Sequence, residues 1–170
     1  MMSITIRRVE PTDYEALQHV YSGPRVIWGT SQLPYPSVEM WRKRLAEPST
    51  GMVGLVACID DQLVGHLNVH TSPDRPRRQH AGQIGMVVHD DFQGQGVGTA
   101  LLQAALDLAD NWLNLRRMEL EVYVDNEPAV RLYTRAGFVI EGTLRQYVYR
   151  DGQYVDVYAM ARFKPERNEP

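Results

Sequence analysis

Cysteine is nearly missing from this chain: Cys58 is the one such residue among 170. That excludes an intramolecular disulfide framework and a cysteine-rich zinc site, and no metal is expected. Cys58 lies in the apolar run from Val53 to Ile59, where a thiol reads as a small buried hydrophobe. A large excess of charge of either sign is also missing. The formal net charge of −3 gives no global pull toward nucleic acid or anionic lipid. No apolar stretch is long enough to cross a bilayer. The N-terminus lacks a signal peptide's apolar segment, because Arg7 and Arg8 follow only a short run. Repeats, low-complexity segments and linker-like shifts in composition are absent too. These absences predict a cytoplasmic protein with no nucleic-acid or membrane partner. They also predict one domain over 1–163 with a polar tail over 164–170, long enough to bury a core without covalent staples.

What is present reads as alternating strands and helices. Ser3–Val9 is rich in β-branched residues and predicts a strand. Thr12-Asp-Tyr-Glu15 has the spacing of a capping box and opens a helix to Tyr21. Gly23, Pro24, Gly29, Pro34 and Pro36 mark Ser22–Pro36 as a loop, after which Ser37 caps a helix carrying Val38, Trp41 and Leu45. Met52–Ile59 and Leu63–Thr71 form strands around Asp60-Asp61, with Leu63, Leu67 and Val69 on one face and His66, Asn68 and His70 on the other. Ala81–His89 is a further strand. Val97, Leu101, Ala104, Ala105, Leu108 and Trp112 recur at helical spacing, and Met118–Val124 alternates as a strand with Glu119, Glu121 and Tyr123 on its second face. Asn126 caps a helix that starts Glu127-Pro128 and ends before Gly137, and Asp151-Gly152 turns a final hairpin. The order is α/β, with a mostly antiparallel sheet and one strand–helix–strand unit near its centre.

Chemistry concentrates in Gln93-Gly94-Gln95-Gly96-Val97-Gly98, a glycine-rich turn between a strand and a helix. Glycines let backbone N–H groups converge on a phosphate, and the helix N-terminus adds a favourable dipole. No Lys-Ser or Lys-Thr pair follows, so the turn is not a nucleotide-hydrolase P-loop. A dinucleotide fingerprint is the main rival, with Glu119 and Glu121 downstream. Thr99 stands where its third small residue belongs, and several strands precede the motif instead of following it. A structural loop without a ligand is the plain alternative.

Two blocks carry a family resemblance. Val88-His-Asp-Asp-Phe-Gln93-Gly-Gln-Gly96-Val-Gly98 is similar to the Gln/Arg-x-x-Gly-x-Gly/Ala signature of the GNAT family of N-acetyltransferases. Downstream, Asn126-Glu-Pro-Ala129-Val-Arg-Leu-Tyr133-Thr-Arg-Ala-Gly137-Phe138 resembles that family's second block, in the right order and spacing. The resemblance implies a mixed, mostly antiparallel twisted sheet of about seven strands with about four helices. It implies acetyl-CoA as cosubstrate, held by Met86, Val87 and Val88 along the strand. Gln93, Gly94, Gln95, Gly96, Val97, Gly98 and Thr99 would hold the pyrophosphate, and Asn126 and Tyr133 would lie near the acetyl group. Leu33-Pro-Tyr-Pro36, Met40-Trp41, Arg75 to His80 and Tyr154 to Arg162 resemble a bacterial branch that acetylates the α-amine of free amino acids, phenylalanine and methionine among them.

Transfer to an amine needs a base for the ammonium, a donor for the oxyanion and a proton for the thiolate. The resemblance assigns the last task to Tyr133. Many relatives place a glutamate on the fourth strand, but Ala81–His89 has no acidic residue before its end. Glu121 and then His80 are the candidate bases, with Glu119 and His70 behind them and a water relay as the alternative. Trp28, Leu33, Tyr35 and Trp41 are the candidate walls for an apolar amine substrate; Trp41 also reads as core. Arg75, Arg77 and Arg78 read as a solvated loop or as a contact for an anionic ligand. The expected reaction is direct acetylation of a primary amine. A peptide N-terminus as acceptor, or a non-catalytic coenzyme-A module, are the rivals. Family members are often dimers, and the Phe138–Arg162 hairpin is the segment for such an interface.

Overall fold

In the computed structural model, which describes residues 3–166, seven strands form one sheet in the order β1-β2-β3-β4-β5-β7-β6. The strands are β1 (Ile4–Arg8), β2 (Met52–Ile59), β3 (Gln62–Thr71), β4 (Ala81–Val88), β5 (Arg117–Tyr123), β6 (Val139–Arg150) and β7 (Gln153–Phe163). All neighbours are antiparallel except β4 and β5, which are parallel. The helices are α1 (Tyr14–Tyr21), α2 (Pro24–Gly29), α3 (Val38–Ala46), α4 (Val97–Asn111) and α5 (Glu127–Arg135). Four of them match the sequence expectation. The fifth, α2, lies in the segment expected to be a loop.

The sheet is covered on both faces. On one, Leu101, Leu102 and Ala105 of α4, with Tyr133 and Phe138, pack on Leu67, Ile84, Met118, Leu120 and Met160. Each fully buried leucine there is worth about 1.5–3 kcal/mol. On the other, Leu17, Val20 and Tyr21 of α1 and Trp41 and Leu45 of α3 pack on Val56, Cys58, Leu63 and Val87. The polar-looking face of β3 is therefore buried at His66, half-buried at Asn68 and exposed at His70. His66 is 2 % exposed, and its Nδ1 meets the Tyr21 hydroxyl at 3.0 Å. Burial pushes the imidazole down to about 4, so it is neutral.

Several expectations are corrected here. Leu63 does not share a face with Leu67. Pairing jumps from Ala57↔Gly65 to Cys58↔Leu63, so Val64 is an extra residue that reverses the alternation. Leu63 then joins the second core and Val64 the first. The turn before α1 is held at Glu10, whose N–H donates to the Asp13 carboxylate at 2.8 Å, and not at Thr12. Trp112 is exposed, because the chain leaves the helix there and Leu113 and Leu115 fill the adjacent core. Strand β7 runs to Phe163, and at the start of the expected tail the Lys164 N–H donates to the Arg116 carbonyl at 2.8 Å. Residues 167–170 of that tail lie outside the described part.

Helix α2 forms around proline because Pro24 stands at its first turn, where no N–H is needed. Its open N–H groups are capped from a distance. The Asp90 carboxylate accepts from Arg25 N–H at 2.9 Å and Val26 N–H at 3.2 Å. Gly23 makes room for it, since a β-carbon there would stand 2.8 Å from Asp90 Cγ.

Candidate active site

Strands β4 and β5 pair only at Ala81↔Arg117, Gly82↔Met118 and Gln83↔Glu119. From Ile84 to Val88, β4 has no strand on that side, so a gap opens toward its C-terminal end. The His89 N–H donates to the Val64 carbonyl of β3 at 2.8 Å. By strand alternation, the backbone groups of Gly85 and Val87 also face β3, and those of Met86 and Val88 face the gap. The Val88 carbonyl accepts from Gln93 Nε2 at 3.1 Å. Val87 is thus separated from Met86 and Val88: its backbone is taken by β3 and its side chain lies in the second core. A methyl group built on Gly85 would meet no atom within 4 Å, so the gap is open on the α1 side.

The glycine-rich turn closes the gap's end. Gly94 and Gly96 have φ of +76° and +88°, a left-handed region in which side chains are strained. Gly96 is the N-cap of α4, and no side chain caps that helix. The first helical bond runs from Ala100 N–H to Gly96 C=O, so the N–H groups of Val97, Gly98 and Thr99 precede the ladder. Gln95 anchors the turn by donating to the Asp91 carbonyl at 2.9 Å. Gly98 lets α5 approach, since a β-carbon there would lie 3.2 Å from Leu132 Cδ2. Open N–H groups of this kind at a helix N-terminus can receive a phosphate or pyrophosphate. Gly96→Ala should cost about 1–2 kcal/mol of left-handed strain and weaken coenzyme binding about tenfold. Calorimetric titration and thermal melting check it.

Asn126 is the N-cap of α5, and Tyr133 lies about two turns further along the same helix. Asn126 Oδ1 accepts from Ala129 N–H at 3.3 Å, which leaves the amide Nδ2 as a donor. Tyr133 is 7 % exposed and meets Phe138 edge-on. Burial pushes its phenol up to about 12. Its hydroxyl makes no hydrogen bond among the described residues.

On the opposite wall, Glu121 of β5 is exposed and accepts from the Tyr147 hydroxyl at 3.2 Å. Tyr147 gets there through a bulge that sequence reading missed. Residues 145–147 of β6 stand against Asp156 alone, Gln146 has φ +51°, and its N–H donates to Asp156 Oδ1 at 2.7 Å. Glu119 is occupied instead, paired with Arg117 at 2.6 Å and Arg78 at 2.9 Å, which hold it below the usual carboxylate range.

The structure separates the other candidates. His80 precedes β4 at the closed end of the gap, with its carbonyl bonded to Arg116 and Arg117, so it does not join Tyr133. His70 lies on β3 opposite Gln83, at that same closed end. The Arg75–Arg78 loop also lies there, with the Arg78 charge met by Glu119. Trp41 is 1 % exposed and belongs to the core, not to a pocket wall. Leu33 points to solvent. Tyr35, 96 % exposed, lines an open cleft of about 620 Å³ with Gln18, Ser22, Pro24, Ile27, Pro34 and Pro36. The end of α2 that carries Trp28 lies beside Asn126, since a β-carbon on the adjacent Gly29 would stand 3.3 Å from Asn126 Nδ2. Arg150, unmarked by any motif, holds it there: its guanidinium lies 3.6 Å from the centroid of the Trp28 ring.

The Acetyltransferase (GNAT) family pattern matches residues 14–138. The chain is 45 % identical over 164 residues to the L-amino acid N-acetyltransferase AaaT of Escherichia coli (strain K12), covering 96 % of this chain and 100 % of that one. It superposes on the spermidine N-acetyltransferase of Vibrio cholerae in complex with CoA and spermine with a TM-score of 0.81 at 25 % identity, covering 95 % of each chain. A GNAT-family acetyltransferase from Streptococcus pneumoniae matches with a TM-score of 0.81 at 28 % identity, over 95 % of this chain and 99 % of that one.

Proposed function

The chain belongs to the acetyltransferase (GNAT) family and is an acetyl-CoA-dependent N-acetyltransferase, and from this premise we propose that it acetylates the α-amine of free, apolar L-amino acids. The observation that carries this reading is the gap beside β4, with the glycine-rich turn and the uncapped start of α4 at its end; Asn126 and Tyr133 of α5 are assigned to the acetyl group by the resemblance of their block to the family's. The acceptor class is supported by similarity along nearly the whole chain to an L-amino acid N-acetyltransferase.

Acetyl-CoA supplies a thioester whose carbonyl carbon accepts the amine. The chain's residues divide the remaining work. The free N–H groups at the start of α4 receive the pyrophosphate. Met86 and Val88 offer backbone groups to an extended arm, as a strand edge does. The Asn126 amide orients that arm. Glu121, with Tyr147 beside it, takes the proton of the incoming ammonium from the second face of the sheet. Tyr133 donates its proton toward the departing sulfur, a role suited to a phenol that burial keeps protonated. The edge strand β6 exposes Val139, Ile140 and Tyr149, and a second copy of the chain fits there as a homodimer partner.

Thiol release from acetyl-CoA, followed over a panel of L-amino acids, short peptides and polyamines, tests the acceptor class. Turnover should be greatest with amino acids such as L-phenylalanine and L-methionine. Turnover confined to peptides or polyamines overturns the assignment.

A further inference from the structure

Helix α2 has six residues, too few to be stable alone, and side chains from elsewhere hold both its ends. At the N-terminal end the holder is Asp90, two residues beyond the end of β4. At the C-terminal end it is Arg150, whose Nη1 donates to the Trp28 carbonyl at 3.1 Å. The same guanidinium stacks on the Trp28 ring and pairs with Asp125, through Nη1 to Oδ1 at 3.2 Å and Nη2 to Oδ2. Asp125 stands two residues beyond the end of β5. Helix α2 therefore runs from the end of β4 to the end of β5, across the mouth of the gap.

We propose that α2 is a strap over the acceptor entrance and that Arg150 is a positioning residue: it fixes the Trp28 end of the strap, and so the approach of the amine. The inference rests on the gap being the reaction site. Arginine suits the task because its planar fork bonds a carboxylate and a carbonyl while its face stacks on an indole. A cation at a helix C-terminus also meets orphan carbonyls and the favourable end of the dipole. The side chain is 11 % exposed, and its Nε is buried with no partner among the described residues. An unpaired donor is a cost that a surface-stabilising arginine would avoid by turning to water. Tyr123, whose ring centroid lies 5.0 Å from the guanidinium, supports it from β5.

Arg150→Met and Arg150→Lys in the full chain test this. Arg150→Met should raise KM for the amine about tenfold, with kcat and coenzyme affinity within about threefold of wild type. Amide exchange over residues 25–29 should quicken about tenfold as the strap loosens. Arg150→Lys keeps a charge for Asp125 but loses the stack, and should fall between. Unchanged KM and exchange in Arg150→Met overturns the proposal. So does an equal loss of kcat, amine KM and coenzyme affinity, which marks general damage. If Arg150→Met does not fold, Asp125→Asn gives the same readouts at equal size. If wild type turns over no amine, the functional reading fails, while exchange over residues 25–29 still decides whether Arg150 holds the strap.

Discussion

Tyr133→Phe should lower kcat about a hundredfold while coenzyme affinity stays within about twofold. The change removes one oxygen and keeps the ring. The edge-on contact with Phe138 at 5.8 Å and the packing against the first core survive, so the fold and the glycine-rich turn are left intact. What disappears is the proton for the leaving sulfur. Burial pushes the phenol up to about 12, so it stays protonated throughout the working range. The wild-type rate should therefore show no falling limb from Tyr133 below about pH 11, one unit under that value. Steady-state kinetics with a separate coenzyme titration separate the two effects. Unchanged kcat would assign Tyr133 to the core alone.

Glu121→Gln should produce a loss of similar size, about a hundredfold in kcat/KM, with a different pH signature. The amide preserves the size of the side chain and can still meet the Tyr147 hydroxyl. It cannot take a proton. The limb of the wild-type profile that rises with pH should flatten in the variant, because that limb reports the group that must be deprotonated for catalysis. Glu119→Gln serves as the comparison. Glu119 is already paired with Arg78 and Arg117, so its variant should lose stability and keep the limb. A limb that persists in Glu121→Gln would point to a water relay.

The parts of this account that were legible in the sequence depend on local chemistry. Gly94 and Gly96 adopt the positive φ that their turn requires. Asn126 caps α5 and Asp151-Gly152 turns the hairpin, with φ of +47° and +77°. The parts that were not legible depend on residues far apart in the chain. Helix α2 is capped by Asp90, and no short-range pattern signals that. The β3 bulge at Val64 interrupts the period-two alternation, so Leu63 lies on the face opposite Leu67 and Val69. The burial of His66 is not visible in its strand pattern, because α1 and α3 cover it only in three dimensions. Trp41 was a candidate wall for the same reason. Arg150 and Tyr147 lie in the hairpin expected to form a dimer interface; a bulge of three residues against one brings Tyr147 to Glu121, and a stacked guanidinium brings Arg150 to Trp28.

The chemistry common to all of these residues is direct transfer. The single cysteine is buried in the second core, away from Tyr133 and Asn126 in the first layer and the α5 cap. Direct attack by the amine needs no covalent acetyl-enzyme, and the Cys58 thiol is packed among core side chains instead of lining the gap. The most direct measurement combines L-phenylalanine or L-methionine with acetyl-CoA and identifies the product by mass and NMR, alongside a parallel mixture without amine. The account predicts one thiol released per acetyl group found on the α-nitrogen, and no acetyl group on the protein when amine is omitted. Thiol release without an N-acetylated amino acid, or acetyl carried on the protein in the absence of amine, would contradict it.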